Sequence, residues 1–164
     1  MVLTGHAQSI ESPNRQLNLT FHVDNGIPYY SLLYKGKIII EKSRLGFEMK
    51  NIPSMVDNFS ILKSSTSAFD ETWEPVWGEV KKIRNQYNEL EITLEQGSPK
   101  RTVIIRFRLY DDGLGFRYEF PNQKNLSYFT IAEEITQFNL GKDYTAFWIR
   151  GDYDTNEPVG GIKI

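Results

Sequence analysis

The chain is poor in the side chains that carry most nucleophilic catalysis. It has no cysteine and two histidines, His6 and His22. His6 lies near the start, and His22 alternates onto the polar side of a predicted strand, where we expect it to be solvated or hydrogen-bonded. A Ser-His-Asp or Cys-His arrangement needs an imidazole positioned beside its nucleophile. A histidine-based zinc site needs more than one histidine. The sequence therefore excludes these classes of site.

Carboxylates are plentiful, and two acidic clusters call for interpretation. Asp111-Asp112-Gly113 is typical of a hairpin turn, because Asp tolerates left-handed backbone and bonds its own main chain. Residues 152–157 hold four oxygen-bearing acids or amides within six residues. Calcium prefers such ligands, but this loop lacks the spacing and glycine of an EF-hand, so an autonomous calcium loop is the weaker interpretation. Glu89, Glu91 and Glu95 alternate along one segment and predict a solvent-facing side of a sheet.

Three tryptophans, Trp73, Trp77 and Trp148, could stack on the apolar faces of sugar rings. Packing between two sheets is the favoured interpretation, since a sandwich core needs large side chains. Trp73 and Trp77 lie on either side of Pro75, which would interrupt a helix. For residues 64–78 we therefore predict an irregular, aromatic-rich crossing over the sandwich.

Composition indicates one globular domain. The chain has 164 residues, of which 40% are hydrophobic and 24% charged, with a formal net charge of −2. Because lysine and arginine are scattered among acids, no basic stripe can neutralise a phosphate backbone, and we expect no nucleic-acid partner. No apolar run approaches the roughly 20 residues that span a bilayer, so we expect no membrane partner. Residues 1–8, with Gly5-His6-Ala7, suggest a trimmed signal peptide or a disordered start, and residues 9–164 form the domain.

Alternation of apolar and polar residues predicts strands along the whole domain. Residues 17–24, 27–34 and 37–41 form an opening meander, with tight turns at Asn25-Gly26 and Lys35-Gly36. Later strands are predicted at residues 89–95, 103–109, 116–120, 128–131, 134–140 and 145–149. No segment holds a 3.6-residue apolar stripe. The fold class is therefore all-β, an antiparallel sandwich or barrel.

Several stretches, taken together, resemble glycoside hydrolase family 97. In chain order they are Ile10-Glu11-Ser12-Pro13-Asn14, Asn25-Gly26 with Pro28-Tyr29-Tyr30, Glu71-Thr72-Trp73-Glu74-Pro75-Val76-Trp77-Gly78-Glu79, Ile83-Arg84-Asn85-Gln86-Tyr87-Asn88-Glu89-Leu90, Arg108-Leu109-Tyr110-Asp111-Asp112-Gly113, Gly115-Phe116-Arg117-Tyr118, Phe147-Trp148-Ile149 and Gly151-Asp152-Tyr153-Asp154. Their joint order over residues 9–157 identifies the chain as similar to the N-terminal part of these enzymes. After Glu157 the sequence departs from the family pattern.

The resemblance implies a β-super-sandwich of the galactose-mutarotase type, which packs in the intact enzyme against a catalytic (β/α)8 barrel. Known members are calcium-dependent α-glucosidases and α-galactosidases of the periplasm. The family's catalytic carboxylates and most calcium ligands lie on the barrel, so no catalytic residue is expected in this chain. The resemblance makes Glu157 the candidate for the calcium ligand that the sandwich contributes. The candidate substrate-binding residues are Trp148 and Asp152.

These observations together predict a non-catalytic N-terminal domain, incomplete at its C-terminus, that supports the barrel and its active-site rim. We expect a periplasmic or secreted protein, with calcium in the parent enzyme and no cofactor in this fragment. A stand-alone carbohydrate-binding module and a mutarotase-like sugar epimerase remain alternatives, although one usable histidine is too few for the epimerase's acid–base pair. Because the family's domain is expected to continue past Ile164, an uncovered sheet edge or apolar face should favour self-association.

Overall fold

Two four-stranded antiparallel sheets pack face to face in the structure, a computed structural model that describes residues 7–148 and 160–163. The first sheet has the order β1-β2-β3-β4 and consists of β1 (Gln8–Glu11), β2 (Leu17–Asp24), β3 (Ile27–Tyr34) and β4 (Lys37–Arg44). The second has the order β6-β7-β8-β9 and consists of β6 (Phe59–Trp73), β7 (Ile83–Gln96), β8 (Arg101–Leu109) and β9 (Leu114–Glu119). Two further antiparallel pairs join β5 (Phe47–Met49) to β10 (Ile131–Glu134) and β11 (Thr145–Trp148) to β12 (Gly160–Lys163). The predicted all-β antiparallel architecture is confirmed.

In the first sheet, two-residue turns join β2 to β3 and β3 to β4. Asn25 and Gly26 have φ angles of 49° and 80°, and Lys35 and Gly36 have 50° and 74°. Positive φ at both central residues is the hairpin geometry that matches the right-handed twist of the flanking strands. The sequence signals at both turns therefore give the predicted hairpins.

The core lies between the inner faces of the two sheets, where alternate residues of facing strands are buried. Phe107 is fully buried and contacts rings from both sheets, with centroid distances of 6.1 Å to Phe21, 6.0 Å to Tyr30 and 5.6 Å to Phe116. Tilted aromatic pairs at these distances add to the stabilisation from area burial. This cluster fixes how the sheets sit on each other.

A backbone junction at Asn58 ties the start of β6 to turns of both sheets. The amide of Phe59 donates to the Gly26 carbonyl at 2.8 Å, and the amide of Gly97 donates to the Asn58 carbonyl at 2.9 Å. A Cβ on Gly26 would lie 2.8 Å from the backbone nitrogen of Asn58. Only glycine fits at position 26, because any side chain would meet the Asn58 backbone and the position has a positive φ.

The prediction of an irregular crossing at residues 64–78 is wrong for residues 64–73, whereas residues 74–78 lie outside strands, in the connection between β6 and β7. Strand β6 continues, with one register shift between Ile61 and Lys63, to Trp73 and pairs with β7 from Phe59↔Gln96 to Trp73↔Ile83. Nearly all its residues after Phe59 are exposed, so neither face imposes an apolar alternation that the sequence could show. Its extended conformation follows from pairing with β7.

The later strands are only partly as predicted. Strand β10 spans Ile131–Glu134, between the two predicted segments, and residues 135–139 lie outside strands. They still run beside the first sheet, since the Glu41 amide donates to the Asn139 carbonyl at 2.7 Å. Among the residues described, no helix is long and apolar enough to cross a membrane.

Candidate functional site

The three predicted site residues fall at the end of the chain. Trp148 closes strand β11, and its backbone pairs with Gly160 of β12. Asp152 and Glu157 lie outside the described residues. Substrate binding by Trp148 and Asp152 and calcium binding by Glu157 therefore remain predictions. Within the described part of the chain, no group of three or more acids and histidines could hold a metal ion.

His22 is held by packing in a charged surrounding. Its ring stacks on Tyr29 with a centroid distance of 5.7 Å and an interplanar angle of 22°. Partial burial, and then the positive charge of Lys42, lower the pKa of His22. The Lys42 ammonium is bound to Asp24 at 2.6 Å. We expected a solvated or hydrogen-bonded strand residue, and the structure shows a half-buried ring held by stacking on Tyr29.

The Asp111-Asp112-Gly113 turn has a structural role, as predicted. It joins β8 to β9, and the Tyr110 amide donates to the Gly113 carbonyl at 2.9 Å. The Asp111 carboxylate accepts the backbone amide of Asn14 at 2.8 Å. The turn thereby holds the loop that connects β1 and β2 in the first sheet.

The hairpin of β6 and β7 extends beyond the rest of its sheet, and we name residues 69–87 the arm. Pairing of β7 with β8 begins at Asn88↔Leu109, whereas pairing of β6 with β7 continues for five more residue pairs, as far as Trp73↔Ile83. A two-stranded ribbon is marginally stable in water unless something packs against it. The arm is therefore the part of the described fold that most needs external cover.

One face of the arm carries its apolar side chains and the other face is polar. Cross-strand partners Phe69 and Tyr87 share the first face with Trp73 and Ile83, because alternate residues of a strand point the same way, and the polar pair Glu71↔Asn85 lies between them. The opposite face carries the polar pairs Asp70↔Gln86 and Thr72↔Arg84. An amphipathic ribbon of this kind buries its apolar face when it has a partner.

Large side chains at the tip of the arm are open to solvent. Trp77 is 88% exposed, Trp73 46% exposed and Val76 fully exposed, and Val80 and Ile83 add further apolar surface. The expected core packing of Trp73 and Trp77 is therefore wrong. A concentration of exposed apolar side chains on one hairpin is the kind of surface that serves as a contact site.

The base of the arm is fixed by rings and ions. Phe69 stacks on Tyr87 at 5.2 Å, and the Arg108 guanidinium lies 4.4 Å from the centre of the Tyr87 ring. On the polar face, Arg84 donates to both carboxylate oxygens of Asp70, at 2.8 and 2.6 Å. These contacts fix the base of the hairpin that carries the exposed tip.

Below the arm, the outer surface of the second sheet carries an ion network that we name the charged face. Its members are Glu89 and Glu91 of β7, Arg106 and Arg108 of β8, and Arg117 and Glu119 of β9. The prediction of a solvent face is wrong for Glu89, which is 8% exposed. Arginine stems from β8 cover it, a burial that alternation within β7 does not predict.

The network is strongest around Arg106 and Glu119. Hydrogen bonding from Arg106, aided by Arg117 and opposed by burial, lowers the pKa of Glu119 to about 2. For Glu89, burial alone would raise the pKa, but hydrogen bonds from Arg108 and Arg106 outweigh it and lower the pKa. Both carboxylates are therefore ionised at neutral pH and bound to guanidinium groups. This favours a structural role, since a general acid needs a pKa close to the working pH.

The fold and its surfaces define the class of protein as a β-sandwich domain with an exposed aromatic arm and a charged sheet face. The part of the chain that the structure describes has no cluster of acids and histidines that could hold a metal ion. Residues 10–159 match the family described as the glycosyl-hydrolase 97 N-terminal domain. The chain belongs to this family.

Several solved glycosidase structures are similar to the chain. A family 97 enzyme from Pseudoalteromonas sp. strain K8 in complex with panose is 32% identical, with a TM-score of 0.81 over 87% of this chain and 22% of that chain. The complex with acarbose gives 30% identity and a TM-score of 0.84 over 93% and 24%. A β-arabinopyranosidase gives 29% and 0.76 over 87% and 22%. The chain spans less than a quarter of the length of these relatives.

Proposed function

We propose that this chain acts as the non-catalytic N-terminal domain of a family 97 glycosidase, supporting a catalytic (β/α)8 barrel and its active-site rim. The observation that carries the proposal is the arm, whose tip at Trp73, Val76 and Trp77 is exposed in a chain that spans less than a quarter of its relatives. The remaining three quarters of such an enzyme provide a protein surface that can cover them. Burial of one large aromatic side chain stabilises a contact by about 2–3 kcal/mol.

The substrates that we propose for the parent enzyme are α-glucosides or α-galactosides. The panose and acarbose complexes of the Pseudoalteromonas enzyme support an α-glucoside, whereas the β-arabinopyranosidase shows that a structurally similar enzyme acts on another sugar. Trp148 and Asp152 are proposed to contact the sugar at the rim. Glu157 has the carboxylate oxygens that calcium prefers, and we propose that it completes a calcium site formed mainly by the barrel of a periplasmic or secreted enzyme.

A chimera tests the supporting role. This chain replaces the matching N-terminal part of the Pseudoalteromonas enzyme, and panose hydrolysis and acrylamide quenching of tryptophan fluorescence are measured. We expect the chimera to cleave panose and to shield Trp77, which is 88% exposed in the isolated chain. Trp77→Asp should lower the melting temperature of the chimera and reduce its panose hydrolysis about tenfold or more, because it places a charge in an apolar contact. Thr72→Asp, on the polar face of the same arm, is the matched control and should change little.

Two results would contradict the supporting role. One is a Trp77 that is quenched as strongly in an active chimera as in the isolated chain. The other is equal loss of activity with Trp77→Asp and Thr72→Asp, which would show that the apolar face has no special part.

A carbohydrate-binding module is the second candidate, and the exposure of Trp73 and Trp77 favours it. In that case the isolated chain would bind maltotriose, and Trp77→Ala would abolish the binding while the chimera kept Trp77 open. Calorimetric titration of the isolated chain with maltotriose separates the two candidates. The epimerase alternative gains no support from His22, whose ring stacks on Tyr29.

A further inference from the structure

Strand β6 has an open edge that is unusually long. It has 15 residues and is the terminal strand of its sheet, and no other strand in residues 7–148 and 160–163 pairs with its outer side. Free strand edges present unpaired amides and carbonyls that can pair with another chain. The edge of β6 is therefore a surface on which another strand could pair.

Other edges of the two sheets are short or covered. Strand β1 has four residues and β9 has six. Strand β4 is covered by the segment after β10, through the Ile40↔Leu140 bridge and the 3.1 Å bond from the Gly141 amide to the Ile39 carbonyl. Short strands and covering segments are the usual protections of an edge. The edge of β6 lacks both among the described residues.

Along β6 the regular part of the edge is residues 63–73. A register shift between Ile61 and Lys63 marks its start. Residues 64–69 are Ser, Ser, Thr, Ser, Ala and Phe, with no charge and no proline, and Glu71 lies near the other end. An uncharged, regular stretch is the part of an edge that can accept a neighbouring strand.

Symmetry limits how two such edges can pair. Two copies joined edge to edge in antiparallel fashion are related by a two-fold axis perpendicular to the sheet, and partners must point to the same face. Since alternate residues point to one face, the two partners of a pair are both odd-numbered or both even-numbered. At the two-fold axis, one residue therefore lies opposite the same residue of the other copy. When that residue is Ser67, Lys63 of each copy lies opposite Glu71 of the other.

The alternative registers lack this charge match. Centring on Thr66 places Lys63 opposite Phe69, and centring on Ala68 places it opposite Trp73. Lys63 and Glu71 both lie on the face that carries Glu89, since they pair with Thr93 and Asn85 of β7. Within the described residues neither takes part in an ion pair. The Ser67 register is the one in which both charges gain a partner.

We propose that two copies of this chain join through their β6 edges, centred on Ser67, so that their four-stranded sheets form one sheet of eight strands. Pairing ends at two copies, because the other side of β6 is occupied by β7. The partner is a second copy rather than an unrelated strand because the charge match is self-complementary. The contact uses the edge of β6 and not the apolar face of the arm, so it can fail while the proposed contact with the barrel holds.

Introduced thiols test the register directly, because the chain has no cysteine. Directly opposite residues in antiparallel strands have Cα atoms about 4.5–5.5 Å apart, within the range that a disulfide spans. Ser67→Cys should therefore give a covalent dimer under mild oxidation. Ser65→Cys is the matched control on the same face of the same strand. Its thiol would lie opposite Phe69, roughly 13 Å along the strand from its copy, and should stay reduced.

Charge exchange tests the same pairing without a covalent bond. Lys63→Glu or Glu71→Lys alone places like charges opposite each other twice in the dimer, and sedimentation should show weakening of about tenfold or more. The double variant restores opposite charges and should return to within about threefold of the unaltered chain. Lys37→Glu on β4 changes net charge equally and should have little effect.

The proposal fails if the unaltered chain is a monomer at several hundred micromolar. It also fails if the Ser67→Cys and Ser65→Cys variants cross-link equally, or if the double charge variant does not recover. A dimer that Trp77→Asp dissociates while Lys63→Glu leaves it intact would assign the contact to the arm and overturn the edge model.

Discussion

Replacing Glu89 by glutamine tests how far the charged face stabilises the fold. The Glu89 side chain is 10% exposed and binds Arg106 and, at 2.7 Å, Arg108. Glutamine keeps the shape but removes the charge, so two charge-assisted hydrogen bonds are weakened. Hydrogen bonds to charged groups contribute about 1.5–3 kcal/mol each, and breaking a fully buried pair costs about 3–5 kcal/mol. Arg106 keeps Glu91 and Glu119, so we expect a loss of about 2 kcal/mol.

The measurement is urea unfolding at neutral pH, followed by tryptophan fluorescence. Glu95→Gln is the matched control, because Glu95 lies on the same face of β7 but binds Lys100, which is 70% exposed, at 3.3 Å. An exposed pair of this kind contributes within about 0.5 kcal/mol. High salt should reduce the small Glu95 effect more than the Glu89 effect, since exposed charges are screened more strongly.

The pH dependence gives a second check on the Glu89 variant. The pKa of Glu89 is lowered in the folded chain from an ordinary value of 4.5, so its ionised form adds stability above that value and loses it as pH falls. The difference between the unaltered chain and Glu89→Gln should therefore shrink in acid. Equal effects of the Glu89 and Glu95 changes at neutral pH, or a difference that grows in acid, would refute the reasoning.

Other predictions concern acid, the core, one turn and activity. The pKa of Glu119 falls from 4.5 to about 2 on folding, so its carboxylate stabilises the fold above pH 4.5. The urea midpoint should therefore drop as the pH falls towards 2, and it should drop less in Glu119→Gln. Phe107→Ala should cost about 3–5 kcal/mol in urea unfolding, against less than about 0.5 kcal/mol for the exposed Tyr128→Ala. Gly26→Ala should destabilise the fold more than Gly36→Ala, since both glycines have positive φ but only a Cβ on Gly26 would meet the backbone of Asn58. Equal melting temperatures of the two variants would contradict this. The isolated chain should not cleave nitrophenyl α-glucoside or α-galactoside, with or without calcium, and turnover lost on mutating a residue of this chain would contradict its proposed role.

Strands with one buried face could be predicted from the sequence. In β2 and β8 the inner residues contact the other sheet and the outer residues face water, so burial leaves a two-residue period. Tight turns were equally legible, because Asn25-Gly26 needs positive φ at both positions. The family motifs gave the domain type, which the match over residues 10–159 confirms.

What the sequence could not predict depends on partners distant in the chain. Strand β6 is exposed on both faces, and its conformation comes from β7. Glu89 lies on the outer face of its strand and is buried by arginines from β8. The exposure of Trp73 and Trp77 follows from the length of the arm relative to β8, which composition does not encode. The assignments of Trp148, Asp152 and Glu157 remain predictions.

The Asn58 junction has a consequence for where the chain can tolerate added length. The turn at Gly26 and the turn at Gly97 each bond to residues 58–59, so an insertion at Gly26 would weaken the bond between the two sheets and one at Gly97 would disturb the start of the β6–β7 ladder. A Cβ on Gly36 would meet nothing within 4 Å, and the backbone bond of this turn, from the Lys35 amide to the Gln16 carbonyl at 2.7 Å, stays within the first sheet's own connections. Exposed turns that do not join the two sheets accept inserted peptides readily. Tags, reporter domains or a new chain start therefore belong at Lys35-Gly36, and natural variation in loop length should avoid Gly26 and Gly97.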